Sequence, residues 1–243
     1  MFKPIELTRS AVESCEHAIR KRILSGQLAV GDVLPPERQL AEMFGLNRLT
    51  IRSALSRLSV RGLVTVRQGS GYRVEDFRVT GGPDLLDGLF GLVMTRPKRL
   101  EMIADLLRIR RCIARAILEA IASKPDYDGS DVDEAIEEFA QLVENHAEID
   151  AIAVGDMAVI RALIDSSQRT VFSLFLNPIT TTVTQLSDLR YAIYKDPQKN
   201  LTGYRVLQYW LKAPVVDAIE PLVMELALRD EATLRQLEQM VSP

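Results

Sequence analysis

The chain has 243 residues, 47% of them hydrophobic and 26% charged, with a formal net charge of −3. That composition supports one or two packed domains and argues against wholesale disorder, and no apolar run reaches the roughly 18 residues of a membrane span. Residues 1–76 carry 12 Lys and Arg against 8 Asp and Glu, and the remainder carries 18 against 25, so any surface for a polyanion belongs to the first third.

From Thr8 to about Ser25 the apolar positions Val12, Ala18, Ile19, Ile23 and Leu24 predict a helix that Gly26 stops. Val33-Leu34 reads as a short strand. Pro35-Pro36 opens a second helix, Glu37 to Phe44, closed by Gly45. Asn47 is placed to cap a third helix, Arg48 to about Arg61, with Ile51, Ala54, Leu55 and Leu58 as its buried stripe. Residues 63–66 and 72–74 read as two short strands around the Gly-containing turn 67–71. Three helices and a hairpin within about 70 residues predict a winged helix-turn-helix over 1–76.

The segment 77–84, containing Gly81-Gly82-Pro83, reads as a linker, and 85–243 as an all-helical bundle. Helices are expected at about 84–94, 98–123, 129–147, 149–166, 170–194, 198–212, 214–228 and 230–240. The fold expected is therefore mostly α, with an N-terminal winged helix and a C-terminal bundle that senses, dimerises or does both.

A helix fits the major groove of DNA, and its first residues reach base edges. Arg48 and Arg52 lie one turn apart and off the apolar stripe, with the shape to donate two hydrogen bonds to guanine. Arg38, Asn47 and Thr50 are placed for phosphate, and Gly69 and Gly71 slim the wing so that Arg67 and Gln68 approach a minor groove. Taken singly, the arginines also read as solvated helix residues and Asn47 as a simple cap; their joint order and spacing favour DNA.

The stretch LPPERQLAEMFGLNRLTIRSALSRLSVRGLVTVRQGSGYRV resembles the signature of the GntR family of bacterial regulators. Pro36 stands where that family usually has serine or threonine, which weakens a helix cap, and Asn47 where it often has serine or threonine. The resemblance implies operator-contacting roles for Arg38, Arg48, Thr50 and Arg52, with Gln68 and Gly69 at the wing tip. LLRIRRCIARAILEAIA, DMAVIRALIDSS and the run from Tyr204 to Leu228 are similar, more loosely, to the helical effector domain of the FadR subfamily.

Many members of that subfamily hold a divalent metal on one aspartate and three histidines, and the metal holds a carboxylate effector. This chain has only His17 and His146. An approximate alignment puts Met157 and Arg161 at the first Asp/His pair and Arg205 and Leu228 at the later histidines, leaving Asp156 one residue out of register. No metal or other cofactor is therefore expected. The resemblance implies instead a small anionic or amphipathic effector, with a long-chain acyl-CoA as the leading example, bound through Arg110, Arg161 and Arg205 beside Tyr191, Tyr194, Tyr204 and Trp210. Core packing for the aromatics and ion pairing for the arginines remain open alternatives.

The expected function is a DNA-binding regulator, read as a repressor, working as a homodimer on double-stranded operator DNA in the cytoplasm, without membrane attachment. A metal-independent organic-acid sensor, or an architectural DNA-binding protein whose bundle only dimerises, are the alternatives. No nucleophile elbow, P-loop, HExxH or dinucleotide fingerprint supports an enzyme.

Overall fold

The computed structural model describes residues 10–67, 71–92 and 96–240. The chain divides into two compact units, Met1–Met94 and Thr95–Pro243.

In the first unit, α1 (Ala11–Leu24) starts at a capping box. The Ser10 hydroxyl accepts from the Glu13 amide at 3.3 Å while the Ser10 amide donates to the Glu13 carboxylate at 3.1 Å. The helix α2 (Glu37–Phe44) begins after Pro36, which makes no side-chain cap bond, in keeping with the weakened cap expected there. Gly45, in the left-handed region at φ 64°, turns the chain towards α3 (Arg48–Val60), whose Thr50 amide donates to Asn47 Oδ1 at 2.8 Å. Ile51, Ala54, Leu55 and Leu58 are fully buried against Cys15, Ile19 and Ile23 of α1 and Leu40 of α2. Strands β1 (Val64–Arg67) and β2 (Gly71–Val74) pair antiparallel, with Val64 opposite Val74 and Arg67 opposite Gly71. Val33 forms an isolated bridge to Arg73, so the short strand expected there survives as a single contact.

The segment 77–84, expected as a free linker, is folded onto this unit. It forms α4 (Phe77–Thr80) and a 3-10 turn at Pro83–Leu85, followed by α5 (Leu86–Phe90). Leu85 is buried in the winged-helix core with Phe77, Leu89 and Leu92 packed around it. The Thr80 hydroxyl donates to the Gly62 carbonyl at 2.7 Å, and Arg61 donates to the Asp84 carbonyl and carboxylate. The helix expected at 84–94 is shorter and belongs here. Gly81-Gly82-Pro83 separates two short helices, and the apolar residues on either side find places in the core.

The second unit is all helix: α6 (Arg96–Ala122), α7 (Ser130–Glu144), α8 (Ile149–Ser167), α9 (Thr170–Gln185), α10 (Ser187–Tyr194), α11 (Pro197–Leu211) and α12 (Ile219–Met240). Its core joins Ile121, Val132, Ile136, Phe139, Ile152 and Val159, with the Phe139 and Tyr204 rings edge to face at 5.3 Å. Two boundaries differ from expectation. The helix expected over 170–194 breaks at Leu186, which is extended at φ −79°, ψ 100°. Upstream, the Thr180, Thr181, Thr182 and Thr184 hydroxyls donate back to carbonyls of their own helix, an arrangement that bends helices, and Arg190 caps the Thr184 carbonyl. Conversely, the helices expected at 214–228 and 230–240 are one, α12, since nothing at Arg229-Asp230 breaks it. It starts only after Pro214, where the Trp210 indole N–H donates to the Val215 carbonyl at 3.0 Å and a 3-10 turn covers Val216–Ala218.

Candidate functional site

The outward surface of α2 and α3 carries several charged side chains on helices whose inner faces are packed in the core. Arg48 and Arg38 are exposed, and Arg38 lies 3.8 Å from Glu42 on its own helix. Thr50 is half-buried, its amide capped by Asn47. Arg52 is held by a residue that the sequence did not single out. Its Nε donates to Glu37 Oε1 at 3.0 Å and its Nη2 to Oε2 at 2.8 Å. The hydrogen bonds from Arg52 hold the Glu37 carboxyl below its usual range. This side-on pairing uses the Nε–Nη2 edge of the guanidinium and leaves Nη1 and the second Nη2 hydrogen as donors to spare on a largely exposed side chain. Arg67 ends β1 on the exposed side of the hairpin. Gln68 and Gly69, expected at the wing tip, lie outside the described residues.

In the second unit, α6, α8, α9, α10, α11 and α12 enclose a cavity of about 300 Å³. Ile117, Leu118, Ile160, Leu163, Leu176 and Leu207 make much of its wall apolar. The polar part includes Arg110, Asp156, Asn200, Tyr204, Arg229 and Asp230, with Lys195, Lys199 and Glu225 also in the lining. Asp156 is 4% exposed, and its two oxygens accept from the Tyr194 hydroxyl at 2.8 Å and the Tyr204 hydroxyl at 2.6 Å. Burial, then the Asp156 charge, pushes both phenols well above their usual range, so they stay protonated as donors. Asp230, also buried, takes Arg110 at 2.6 Å on one oxygen and Arg111 on the other.

Two buried donor atoms in this wall are left without a partner among the described residues, Arg110 Nε and Asn200 Nδ2, and the Arg229 guanidinium lies near them. Asn200 is 3% exposed, and its Nδ2 has no partner among the described residues. Arg229 is half-buried, and its guanidinium forms no hydrogen bond or ion pair with another described side chain. It lies along Gly203, where a β-carbon would come within 2.8 Å of Nη1. A side chain at Gly203 would therefore push that guanidinium aside.

The residues expected to hold an effector separate into three groups. Arg110 and Tyr204 line the cavity. Tyr194 does not line it but buttresses Asp156 from behind. Arg161, Tyr191, Arg205 and Trp210 are elsewhere: Arg161 is exposed, Tyr191 is 44% exposed, Arg205 pairs with Glu137 and Gln208, and Trp210 is taken by Val215. The cavity lining falls one residue away from each position that the approximate alignment uses. Asp156, Ile160, Tyr204 and Arg229 line the cavity, next in sequence to Met157, Arg161, Arg205 and Leu228. One residue is about 100° of rotation on a helix, enough to move a side chain from an inner to an outer face.

These four do not suit a metal ion. They offer one carboxylate and no imidazole, and both oxygens of that carboxylate already accept from phenols. Among the described residues no group of three His, Cys, Asp or Glu side chains is placed to hold a metal.

Residues 11–74, the winged helix, match the family described as bacterial regulatory proteins, gntR family. A fatty acid metabolism regulator protein of Klebsiella pneumoniae subsp. pneumoniae is 31% identical over 209 residues, covering 86% of this chain and 84% of that protein. The chain belongs to the gntR family of bacterial regulators. Its relatives are transcription regulators and not enzymes. This gntR regulator is also 47% identical over 81 residues to the HTH-type transcriptional regulator Mce2R of Mycobacterium tuberculosis, a match spanning 33% of this chain and 34% of that one. Among solved structures, a protein described as Lar, which controls the agr system of Listeria monocytogenes and mediates virulence, shares the fold at a TM-score of 0.58. The two are 13% identical, over 96% of this chain and 99% of that one.

Proposed function

We propose that this gntR regulator is a homodimeric operator-binding repressor whose DNA affinity is set by a small anionic or amphipathic effector in the C-terminal cavity, bound without a metal. On the DNA side, Arg48 and Arg52 read base edges from the start of α3. Arg38, Asn47 and Thr50 hold phosphate, and Arg67 brings the wing to the minor groove. Two such heads meet the two halves of a palindromic site.

The observation that carries the effector reading is the pair of buried donors without a partner among the described residues, Asn200 Nδ2 and Arg110 Nε, with the half-buried Arg229 beside them in a largely apolar cavity of about 300 Å³. A buried donor without a partner costs about 1–3 kcal/mol, more when charged, and a ligand with an acceptor head recovers that cost. The apolar wall suits an aliphatic body, and the two donors suit a carboxylate or a carbonyl. The relative named as a fatty acid metabolism regulator supports the same class, with a long-chain acyl-CoA as the leading candidate.

The test is a thermal-unfolding and operator-binding series with octanoate, palmitate, palmitoyl-CoA, lactate and gluconate. An aliphatic member of the panel raises Tm by mass action and lowers operator affinity, and Asn200→Ala with Arg229→Ala abolishes both effects. If no member shifts either quantity, the bundle is a dimerisation module only. Lactate or gluconate acting alone assigns it to polar organic acids.

A further inference from the structure

The residue between the two base-reading arginines is the least ordinary on the recognition helix. Leu49, the second residue of α3, is 72% exposed. With about 100° of rotation per residue, the buried stripe of Ile51, Ala54, Leu55 and Leu58 fixes the inward direction, and Leu49 projects about 160° away from it. Arg52, Ser53 and Ser56, at i+3, i+4 and i+7, share that outward face with it. Isolated apolar residues are normal on protein surfaces, and Met43 and Val60 are likewise exposed. Leu49 is set apart by position. It occupies the first turn of the helix, where side chains reach bases, with an arginine on either side.

An aliphatic side chain there offers neither charge nor hydrogen bond. The apolar feature that a base pair presents in the major groove is the C5-methyl group of thymine. A hydrophobic protein partner is a poor alternative occupant, because covering Leu49 would also desolvate the guanidinium groups of Arg48 and Arg52. A phosphate-lined groove meets both needs, matching the arginines in charge and the leucine in shape. We propose that Leu49 is a specificity-determining residue that packs against the C5-methyl of a thymine in each half-site, next to the base pair read by Arg52. The proposal rests on the operator-reading role of Arg48 and Arg52 and adds to it the base at one further position.

The experiment begins by selecting binding sites for the full-length protein from a random duplex library. Each thymine of the selected half-site is then replaced by uracil, which removes one methyl group and leaves every hydrogen-bonding atom in place. The expected result is a single sensitive position where wild-type affinity drops about fourfold, the effect of one methyl-sized apolar contact. Leu49→Ala binds the thymine operator more weakly and no longer distinguishes uracil at that position, whereas Arg52→Ala still does. Because Leu49 is exposed, its alanine variant retains the wild-type melting temperature, which is measured alongside.

Wild-type protein indifferent to every thymine-to-uracil exchange overturns the proposal. So does Leu49→Ala that keeps the wild-type sensitivity. A selection that returns no consensus removes the operator-reading premise as well, and that outcome is distinct from a consensus read without its methyl groups.

Discussion

Exchanging Glu37 for glutamine tests whether Arg52 reads DNA from a position fixed in advance. The Glu37 carboxylate, 22% exposed, takes two donors of the Arg52 guanidinium, at 3.0 and 2.8 Å, while the Arg52 side chain remains 67% exposed. As an exposed ion pair it contributes only about 0–1 kcal/mol to folding, so Glu37→Gln should melt close to wild type. Its effect falls on recognition. A bidentate arginine–guanine pair discriminates by about 1–3 kcal/mol, and that geometry needs the free Nη1 and Nη2 donors held still. With glutamine at 37, the guanidinium swings towards phosphate and the local charge rises by one. The operator-to-random affinity ratio should then fall about tenfold, equivalent to ~1.4 kcal/mol, while the salt dependence on random DNA steepens by up to about 0.9. Fluorescence anisotropy on operator and scrambled duplexes between about 50 and 200 mM salt measures both. An unchanged ratio refutes the reasoning, as does an Arg52→Ala variant that discriminates as well as wild type.

Three further perturbations address the scaffold. Tyr204→Phe removes one of the two phenol donors to buried Asp156 and should cost about 1.5–3 kcal/mol in urea denaturation. Adding Tyr194→Phe should cost more than the sum of the two, because the carboxylate is then stranded; additive losses would deny the shared site. Arg205→Ala should leave any effector response intact and cost no more than about 1 kcal/mol at neutral pH, since Arg205 and Glu137 are both largely exposed. Hydrogen bonds from Arg205, then from Gln208, pull the Glu137 carboxyl down to about 2. A depressed carboxylate stabilises the fold above its unfolded pKa of about 4.3, and that contribution drains away as pH falls towards the folded value. Arg205→Ala should therefore flatten the acid limb of a Tm–pH profile between those limits. Gly62→Ala places a β-carbon 2.1 Å from the Thr80 carbonyl oxygen at φ +70°, and should cost more than about 1–2 kcal/mol; an unchanged Tm would show that the segment after the wing is not clamped there.

The winged helix was legible because its signals are local. Asn47 caps α3, Gly45 and Gly62 end helices in left-handed geometry, and Ile51, Ala54, Leu55 and Leu58 keep a helical period whose buried side needs no outside reference. The bundle was legible only in outline. Proline marked several helix starts, but the break at Leu186 depends on hydroxyls bonding back along α9, and the fusion at Arg229 depends on the lack of any breaker. The cavity was hardest to place. The mix of apolar and polar residues in DMAVIRALIDSS gives a helix without fixing its rotation, and only packing against α6, α7, α9 and α10 turns Asp156 and Ile160 inward and Arg161 outward. The partner of Arg52 was missed for a related reason: Glu37 is fifteen residues away in sequence and meets it only once α2 crosses α3.

The unbroken run of α12 has a mechanical consequence. Arg229 borders the cavity eleven residues before the last described residue of that helix, Met240, a span of about 16 Å. With no proline or glycine between them, this stretch lacks the usual points of flexure. A tilt imposed at the guanidinium is therefore carried as one piece to the far tip. The helix is one stiff bar that borders the chamber from Leu222 to Gln236 and stays anchored beyond Arg229 by the buried Thr233 and Leu237, so a shift made at the chamber is passed to the helices packed along it.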